Sequence, residues 1–271
     1  MKKNRTVDFV RFYAAVTILI LLMGCSMDAT IDTNDGKIKQ STQSGMVRSI
    51  GGIRWSSKLD LDSLTDIDMA LSTPFEGSFQ VERIRSAKVP RGLDHIDKAV
   101  MRNCRTYLDL RPLGYEAISD REFRVMKYIG ARCIALSELK KTKTAKTNYL
   151  ADFALDANAP YYFSPQLGLI LSNYDIERRA EAERQGMSWK DFEPDIVTAV
   201  TGPDEIEVRG DGWVIQLTGY VWGDLDGDGV QDLLLRSDAW LDKGTWASVR
   251  LFRLTRISAT GKLTIAQEYD L

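Results

Sequence analysis

The feature that most restricts the fold of this 271-residue chain is the stretch YVWGDLDGDGVQDLLLR, residues 220–236. Its carboxylates stand at positions 1, 3, 5 and 9 of a loop: Asp224, Asp226, Asp228 and Asp232. Gly229, at position 6, lets the backbone turn sharply enough to bring the later side chains back toward the first. A hard divalent cation such as calcium takes about six to eight oxygen ligands, and a loop with this spacing can wrap one. The sequence therefore predicts an acidic loop closed around a cation.

The segments on either side of this loop have the composition of strands. Residues 213–222 and 232–236 are rich in β-branched, aromatic and leucine side chains. An EF-hand loop is instead flanked by helices and carries a bidentate Glu at position 12, where this chain has Leu235. Asp232 at position 9 is the natural replacement for the missing ligand.

A strand, an acidic loop and a second strand resemble the calcium loop of FG-GAP and VCBS-type modules, which carry the pattern D-x-D-G-D-G-x-x-D-L-L. The resemblance covers about twenty residues and implies Ca²⁺ as the cofactor. It implies the following calcium ligands: Asp224, Asp226, Asp228, the Val230 carbonyl and Asp232. Those families repeat the motif around a propeller, whereas this chain has it once. Propeller architecture is therefore not expected.

Two roles are open for the ion. Aspartates this close together repel one another unless a cation is present, so an ion that pins two strands is the first hypothesis. Sensing, or contact with a substrate, is the alternative. Because no bidentate Glu closes the site, we expect a dissociation constant of about 10⁻⁴–10⁻³ M, as in extracellular calcium modules.

The N-terminal residues have the pattern of a secretory signal. Residues 1–11 are basic and residues 12–23 form an uncharged apolar run, which at ~1.5 Å per residue is too short to span a bilayer. Residues 1–24 are therefore predicted to be a signal peptide. The segment ends in Leu-Met-Gly-Cys25, which resembles the bacterial lipobox, in which the cysteine is lipidated and becomes the mature N-terminus. A plain secreted protein or an uncleaved anchor is the alternative.

The lipobox resemblance also implies a place in the cell. Acyl chains on Cys25 would hold the protein at a membrane, and Ser26 after it implies the outer membrane, with the protein facing the periplasm or the surface. Residues 25–52 are polar and small, so we expect a flexible tether. The net charge of −2 argues against nucleic acid as a partner, because phosphate binding needs a basic surface.

Residues 53–271 are predicted to form a single globular domain of the α+β class. Residues 92–192 are interpreted as its helical part, with a helical pair over 94–110 and 120–139 whose second helix is capped by Ser119. Residues 204–268 are interpreted as its β part, where strands separated by short turns indicate an antiparallel meander.

Lysines close the second helix of this pair and follow it: Lys140, Lys141, Lys143 and Lys146. We expect a solvated helix end, since cations suit a helix C-terminus. Contact with an acidic polymer of the envelope is the alternative.

Two cysteines remain once Cys25 is assigned to the lipid. Cys104 and Cys133 fall on the apolar stripes of the two predicted helices. In an oxidising envelope compartment we expect them to form a disulfide. Two packed free thiols are the alternative.

Alternation along the longest predicted strand assigns its side chains to two faces. Trp213, Ile215 and Leu217 share one face. The other face is shared by Val214, Tyr220 and Trp222. Because both faces are apolar, we expect helices to cover one of them and a loop or a partner to cover the other.

No catalytic residues are predicted. His95, the single histidine, stands at a predicted helix start, and triad chemistry is not expected there without a second histidine or a poised serine. The leading hypothesis is a membrane-anchored envelope lipoprotein that binds one calcium ion structurally and has a non-catalytic structural or interaction role. Its partner would be an envelope protein or a glycan. The whole chain is similar to uncharacterised bacterial lipoproteins.

Two further hypotheses stay open. A calcium-stabilised envelope enzyme of the glycan hydrolase class would show a deep cleft with paired carboxylates. A glycan-binding module would show a flat face of exposed tryptophans, drawn from Trp213, Trp222, Trp240 and Trp246.

Overall fold

The computed structural model describes residues 48–85 and 95–271. Over these ranges the chain is a mixed α and β structure with antiparallel sheets, as the predicted α+β class requires. The predicted signal peptide, the predicted lipidation site Cys25 and residues 25–47 of the predicted tether lie outside the described residues. Residues 48–52, assigned to the same tether, instead form a strand and the turn that follows it.

The strands of the described residues, in chain order, are β1 (Arg48–Ile50), β2 (Ile53–Trp55), β3 (Phe79–Arg85), β4 (His95–Met101), β5 (Glu116–Ala117), β6 (Val197–Gly202), β7 (Glu205–Gly210), β8 (Trp213–Gly223), β9 (Asp232–Leu241), β10 (Ala247–Thr255) and β11 (Thr264–Tyr269). The α-helices of the same ranges are α1 (Ile67–Ser72), α2 (Cys104–Leu110), α3 (Asp120–Lys141), α4 (Asn173–Arg184) and α5 (Trp189–Phe192).

The larger sheet contains the predicted meander. Strands β7 to β11 pair consecutively and antiparallel, which confirms the prediction for the C-terminal part of the chain. Strand β8 is long enough to pair with β9 along one edge and with two strands along the other. Residues 213–218 of β8 pair with β7, and residues 221–222 pair with β2. The N-terminal hairpin of β1 and β2 is thereby attached to the meander.

Residues 95–101 form a strand rather than the start of the predicted helix over 94–110. Strand β4 pairs along its whole length with β3, and β5 completes a separate three-stranded sheet. Helix α2 begins only at Cys104, because Asn103 is its N-cap: the Asn103 side chain accepts from the Thr106 amide, and the Thr106 hydroxyl accepts from the Asn103 amide. His95 therefore begins a strand, and the predicted helical part contains β structure.

Helix α3 matches the predicted second helix and is capped by Ser119 as expected. Its buried side includes Met126, Gly130, Cys133 and Leu136, so Cys133 lies on the apolar stripe as predicted. A disulfide joins Cys104 at the start of α2 to Cys133 in the middle of α3. None of the helices in the described ranges combines the length with the apolar character needed to cross a membrane.

Two apolar cores lie against the larger sheet. The helix-side core is formed between α3 and the sheet and includes Trp55, Leu136, Leu234 and Leu251. The loop-side core is formed between the sheet and residues 150–196 and includes Phe163, Trp189, Leu235 and Phe252. Leu234 and Leu235 are neighbours on β9 and point to opposite cores, as strand alternation requires. Helices thus cover one face and a largely irregular segment covers the other, as expected.

A bulge in β8 shifts the predicted faces of that strand. Consecutive residues of β9 oppose Gly219 and Val221, so Tyr220 is an extra residue on β8. Tyr220 belongs to the helix-side core and Trp222 to the loop-side core. The prediction that these two side chains share a face is wrong, because an extra residue moves the alternation by one position.

Candidate metal centre

The acidic loop connects the end of β8 at Gly223 to the start of β9 at Asp232. Gly227 and Gly229 have φ angles of 86° and 88°, a left-handed conformation that side-chain-bearing residues rarely adopt. These two turns curl residues 224–231 back on themselves. The aspartates at the two ends of the loop are brought together in this way.

Three of the predicted ligands converge. One carboxylate oxygen from each of Asp224, Asp226 and Asp232 lies within 4.8 Å of the other two. Ligand oxygens on one calcium ion, each about 2.3–2.6 Å from the metal, can be no more than about 5 Å apart. The three oxygens are therefore close enough to bind one ion with little rearrangement.

Backbone amides of the loop hold two of these carboxylates in place. Asp224 accepts from the Gly227 amide at 2.6 Å through one oxygen and from the Gly229 amide at 3.1 Å through the other. Asp232 accepts from the Leu225 amide at 3.2 Å. Carboxylate oxygens have further lone pairs beyond these bonds, so the amides orient the ligands without using them up.

Asp228 lies apart from the converging group. Its side chain is exposed, and its carboxylate accepts from the Val230 amide at 2.7 Å. Its own amide donates to Asp226 at 3.1 Å. Val230 takes part in a parallel backbone bridge with Thr147. The roles of the Asp228 carboxylate and the Val230 carbonyl as ligands stay predictions.

Asp232 is the carboxylate that is most removed from water. Its side chain is 1% exposed, and its Oδ1 accepts no hydrogen bond from the described residues. Burial raises the pKa of Asp232 to about 6, and the Thr255 hydroxyl and Leu225 amide lower it by less. A buried carboxylate oxygen without a donor is costly, and a metal ion in the loop would compensate it. The residues present therefore fit a bound cation.

One fixed positive charge already contacts the loop. Arg253 Nη1 on β10 lies 2.7 Å from Asp226 Oδ2. The guanidinium reduces repulsion among the aspartates, and it would compete with a metal ion for the Asp226 carboxylate. Sequence reasoning missed this residue, because it follows the loop by more than twenty positions and reaches it only through strand pairing.

The segment that follows α3, residues 143–147, forms backbone hydrogen bonds with the acidic loop. Lys143 and Asp224 exchange a reciprocal pair of hydrogen bonds of 3.0 Å. The Gly229 carbonyl accepts from the Lys146 and Thr147 amides at 2.8 and 3.0 Å. The Gln231 amide donates to the Thr147 carbonyl at 2.9 Å.

The hydrogen bonds between residues 143–147 and the loop fix the positions of two of the four lysines, Lys143 and Lys146. An added Cβ at Gly227 would lie 3.8 Å from Lys143 Nζ, and one at Gly229 would lie 3.6 Å from Lys146 Cδ. The lysines that follow α3 thus lie beside the acidic loop, a neighbour that neither the predicted solvated helix end nor the alternative contact with an acidic envelope polymer had included.

The four tryptophans of the glycan-binding hypothesis do not form an exposed face. Trp213 and Trp222 are buried in the loop-side core, with exposures of 9% and 4%. Trp240 and Trp246 are half-buried. A flat tryptophan surface built from all four is therefore ruled out by the fold.

Comparison with known proteins adds no family to this description. No protein-family model, curated protein or solved structure matches the chain. The interpretation of the loop therefore depends on its own geometry and chemistry.

Proposed function

We propose that this chain is a membrane-anchored envelope lipoprotein that binds one calcium ion structurally and has no catalytic role. The observation that carries the proposal is the convergence of three aspartate carboxylates, one of which, Asp232, is buried and has an Oδ1 that accepts no hydrogen bond from the described residues. Calcium suits this set because the ligands are carboxylate oxygens, which a hard cation prefers, and because calcium accepts irregular coordination.

The ion would act by fastening three segments together. Asp224 follows β8, Asp232 begins β9, and the backbone of residues 143–147 bonds to the same loop from the end of α3. A cation that draws the carboxylates inward would also hold their backbone hydrogen bonds. We therefore expect the ion to stabilise the contact between the meander and α3, a structural role rather than a chemical one.

The proposed anchor and location come from the sequence. Cys25 in the lipobox-like segment would carry the acyl chains, and the folded domain would contact an envelope protein or glycan. A Cys25→Ser variant should lose its membrane association when cell fractions are compared by immunoblotting. An unchanged distribution between membrane and soluble fractions would refute the lipid anchor while leaving the calcium proposal untouched.

Thermal unfolding of the full chain tests the proposed calcium site. At a calcium concentration a hundred times the dissociation constant, binding to the folded state alone adds about 2.7 kcal/mol to the free energy of unfolding. For a domain of this size, the melting temperature should rise by roughly 5–10 °C relative to EDTA. Magnesium at the same concentration serves as the ionic-strength control and should give a smaller rise. Equal melting temperatures in calcium and EDTA would contradict the proposal.

Hydrogen exchange distinguishes the structural role from the alternatives. If the ion fastens the three segments, its removal should increase amide exchange in residues 143–147 and 224–232 together, because they share hydrogen bonds. A change confined to the loop would contradict the fastening role and favour sensing.

A further inference from the structure

A groove lies at the opposite end of α3 from the acidic loop. Its walls are the first two turns of α3 and the far ends of β9 and β10, and its volume is about 510 Å³. The side chains that define it are Arg121, Arg124, Val125, Tyr128, Asp238 and Trp240. A volume of this size falls in the range of small-molecule sites.

The walls of the groove are mainly apolar and partly aromatic. Val125 and Tyr128, on adjacent turns of one helix, are 45% and 48% exposed, so their side chains present apolar surface to the solvent in the groove. The buried Arg236 guanidinium lies 4.2 Å from the centroid of the Tyr128 ring. This contact fixes the ring in place while nearly half of the side chain remains open to solvent. Trp240 supplies a second aromatic surface.

Positive side chains outnumber negative ones in the lining of the groove. Arg121 makes no ion pair with any described residue, and Arg124 makes only a 3.4 Å hydrogen bond to the Thr245 carbonyl. The acidic side chain in the lining, Asp238, is bound to Arg236 at 2.8 Å and so does not neutralise the other arginines. Because Arg121 and Arg124 are three residues apart on a helix, they project from the same side of it.

We propose that this groove binds a small carboxylate whose body is an aromatic or other flat apolar ring. The ring would stack on Tyr128 and Trp240, and the carboxylate would accept charge-assisted hydrogen bonds from Arg121 and Arg124. A sugar fits less well, because its several hydroxyl groups would leave water for walls with few polar partners. This inference is independent of the calcium loop, so either can fail alone.

The test compares two probes of the same shape. Calorimetric titration of the full chain with 2-naphthoate and with neutral 2-naphthamide separates the contribution of the charge from that of the ring. We expect naphthoate to bind about ten- to a hundredfold more tightly, since hydrogen bonds to a charged group are worth more than neutral ones. Naphthoate should also change the tryptophan fluorescence through contact with Trp240. Equal affinity for the two probes, or no binding of either, would overturn the proposal.

Two matched double variants locate the binding. Arg121→Gln/Arg124→Gln should remove the preference for naphthoate and leave the weaker binding of naphthamide. Arg184→Gln/Arg209→Gln removes the same charge from exposed positions elsewhere and should keep the preference. All four substitutions are on the surface, so melting temperatures should stay close to that of the parent chain. Loss of the preference in both variants would mean that net charge alone is recognised and would overturn the assigned site.

A second copy of the chain is the competing occupant of this groove. Sedimentation of the chain with and without naphthoate distinguishes the two. A monomer at both conditions supports the small-molecule site. A dimer that the Tyr128→Ser substitution dissociates, and that excludes naphthoate, would overturn it.

Discussion

Single residues of the acidic loop differ in how far their carboxylates are removed from water. Asp232 is almost completely buried, Asp224 is 4% exposed, and Asp228 is exposed. A buried carboxylate has few alternatives to a metal ion as a partner, whereas an exposed one is compensated by water. The sequence spacing treats all four aspartates alike. Their unequal burial depends on the strands that flank the loop and on the segment that covers it.

This difference predicts a ranking of calcium affinities. Asp232→Asn and Asp224→Asn each remove a charged ligand of the converging set and should weaken calcium binding by about tenfold or more. Asp228→Asn should weaken it less. Asp242→Asn, in an exposed turn at the other end of β9, removes the same charge and should leave the affinity unchanged. Calcium titration of the four variants measures the ranking, and an Asp228 effect larger than that of Asp232 would contradict it.

Arg253 should act as a built-in competitor of the ion. Arg253→Gln removes a positive charge that lies 2.7 Å from Asp226 and should raise the calcium affinity by roughly three- to tenfold, given the weak Coulomb energies of partly exposed groups. The same variant should melt at a lower temperature in EDTA, because the aspartates then repel one another. Lower affinity in this variant would show that Arg253 supports the bound ion instead.

Among the elements, those defined by local chemistry are well predicted from the sequence. The Ser119 cap sets the start of α3, and the short turns set the strands of the meander. The start of α2 was missed although a local signal exists, because Asn103 and Thr106 form a capping box. The apolar residues across 95–108 recur at helical spacing, and this pattern predicted one longer helix instead. The bulge at Tyr220 has no such local signal, since it depends on the partner strand.

The disulfide connects two helices that pack side by side. Cys104 and Cys133 close a loop with a sequence separation of 29 residues. Such a loop is worth roughly 3–4 kcal/mol through the entropy of the unfolded chain. A Cys104→Ser/Cys133→Ser variant should therefore lose about that much free energy of unfolding in urea.

Reduction provides the control for this variant. Dithiothreitol should destabilise the parent chain by a comparable amount and leave the serine variant unaffected. If both proteins respond equally to dithiothreitol, the reductant acts elsewhere and the assigned stabilisation is wrong.

Strand β9 carries a buried ion pair whose acid responds to pH. Burial raises the pKa of Asp238 to about 6 from an ordinary 3.8, and Arg236 lowers it by less. The folded protein therefore binds this proton more tightly than the unfolded chain does. The contribution of Asp238 to the free energy of unfolding should fall as the pH rises from about 4 to 6, by roughly 3 kcal/mol, and stay level above that.

Comparison with Asp238→Asn isolates this effect. The variant lacks the titrating group, so the difference in free energy of unfolding between parent and variant should decline over the same pH interval. The unpaired Arg236 adds a constant penalty to the variant and does not change the slope. Urea unfolding from pH 3.5 to 7.5 measures the difference, and a value that is constant with pH would contradict the assignment.

For the whole molecule, the contacts that complete the candidate site come from distant parts of the chain. The ligand spacing can be read directly from nine consecutive residues. Three other features cannot be predicted from the local sequence, because each reaches the sheet only through the tertiary fold. They are the hydrogen bonds from residues 143–147, the guanidinium of Arg253 and the hairpin of β1 and β2. Fold class and meander were therefore predictable, whereas the surroundings of the loop were not.

We propose that a divalent cation occupies the loop between β8 and β9. The decisive measurement is calorimetric titration of calcium into the metal-free full chain, with the Asp232→Asn variant alongside. We expect one ion per chain with a dissociation constant of about 10⁻⁴–10⁻³ M, and binding that is lost or at least tenfold weaker in the variant. No binding to the parent chain at millimolar calcium, or equal binding to both proteins, would contradict the claim.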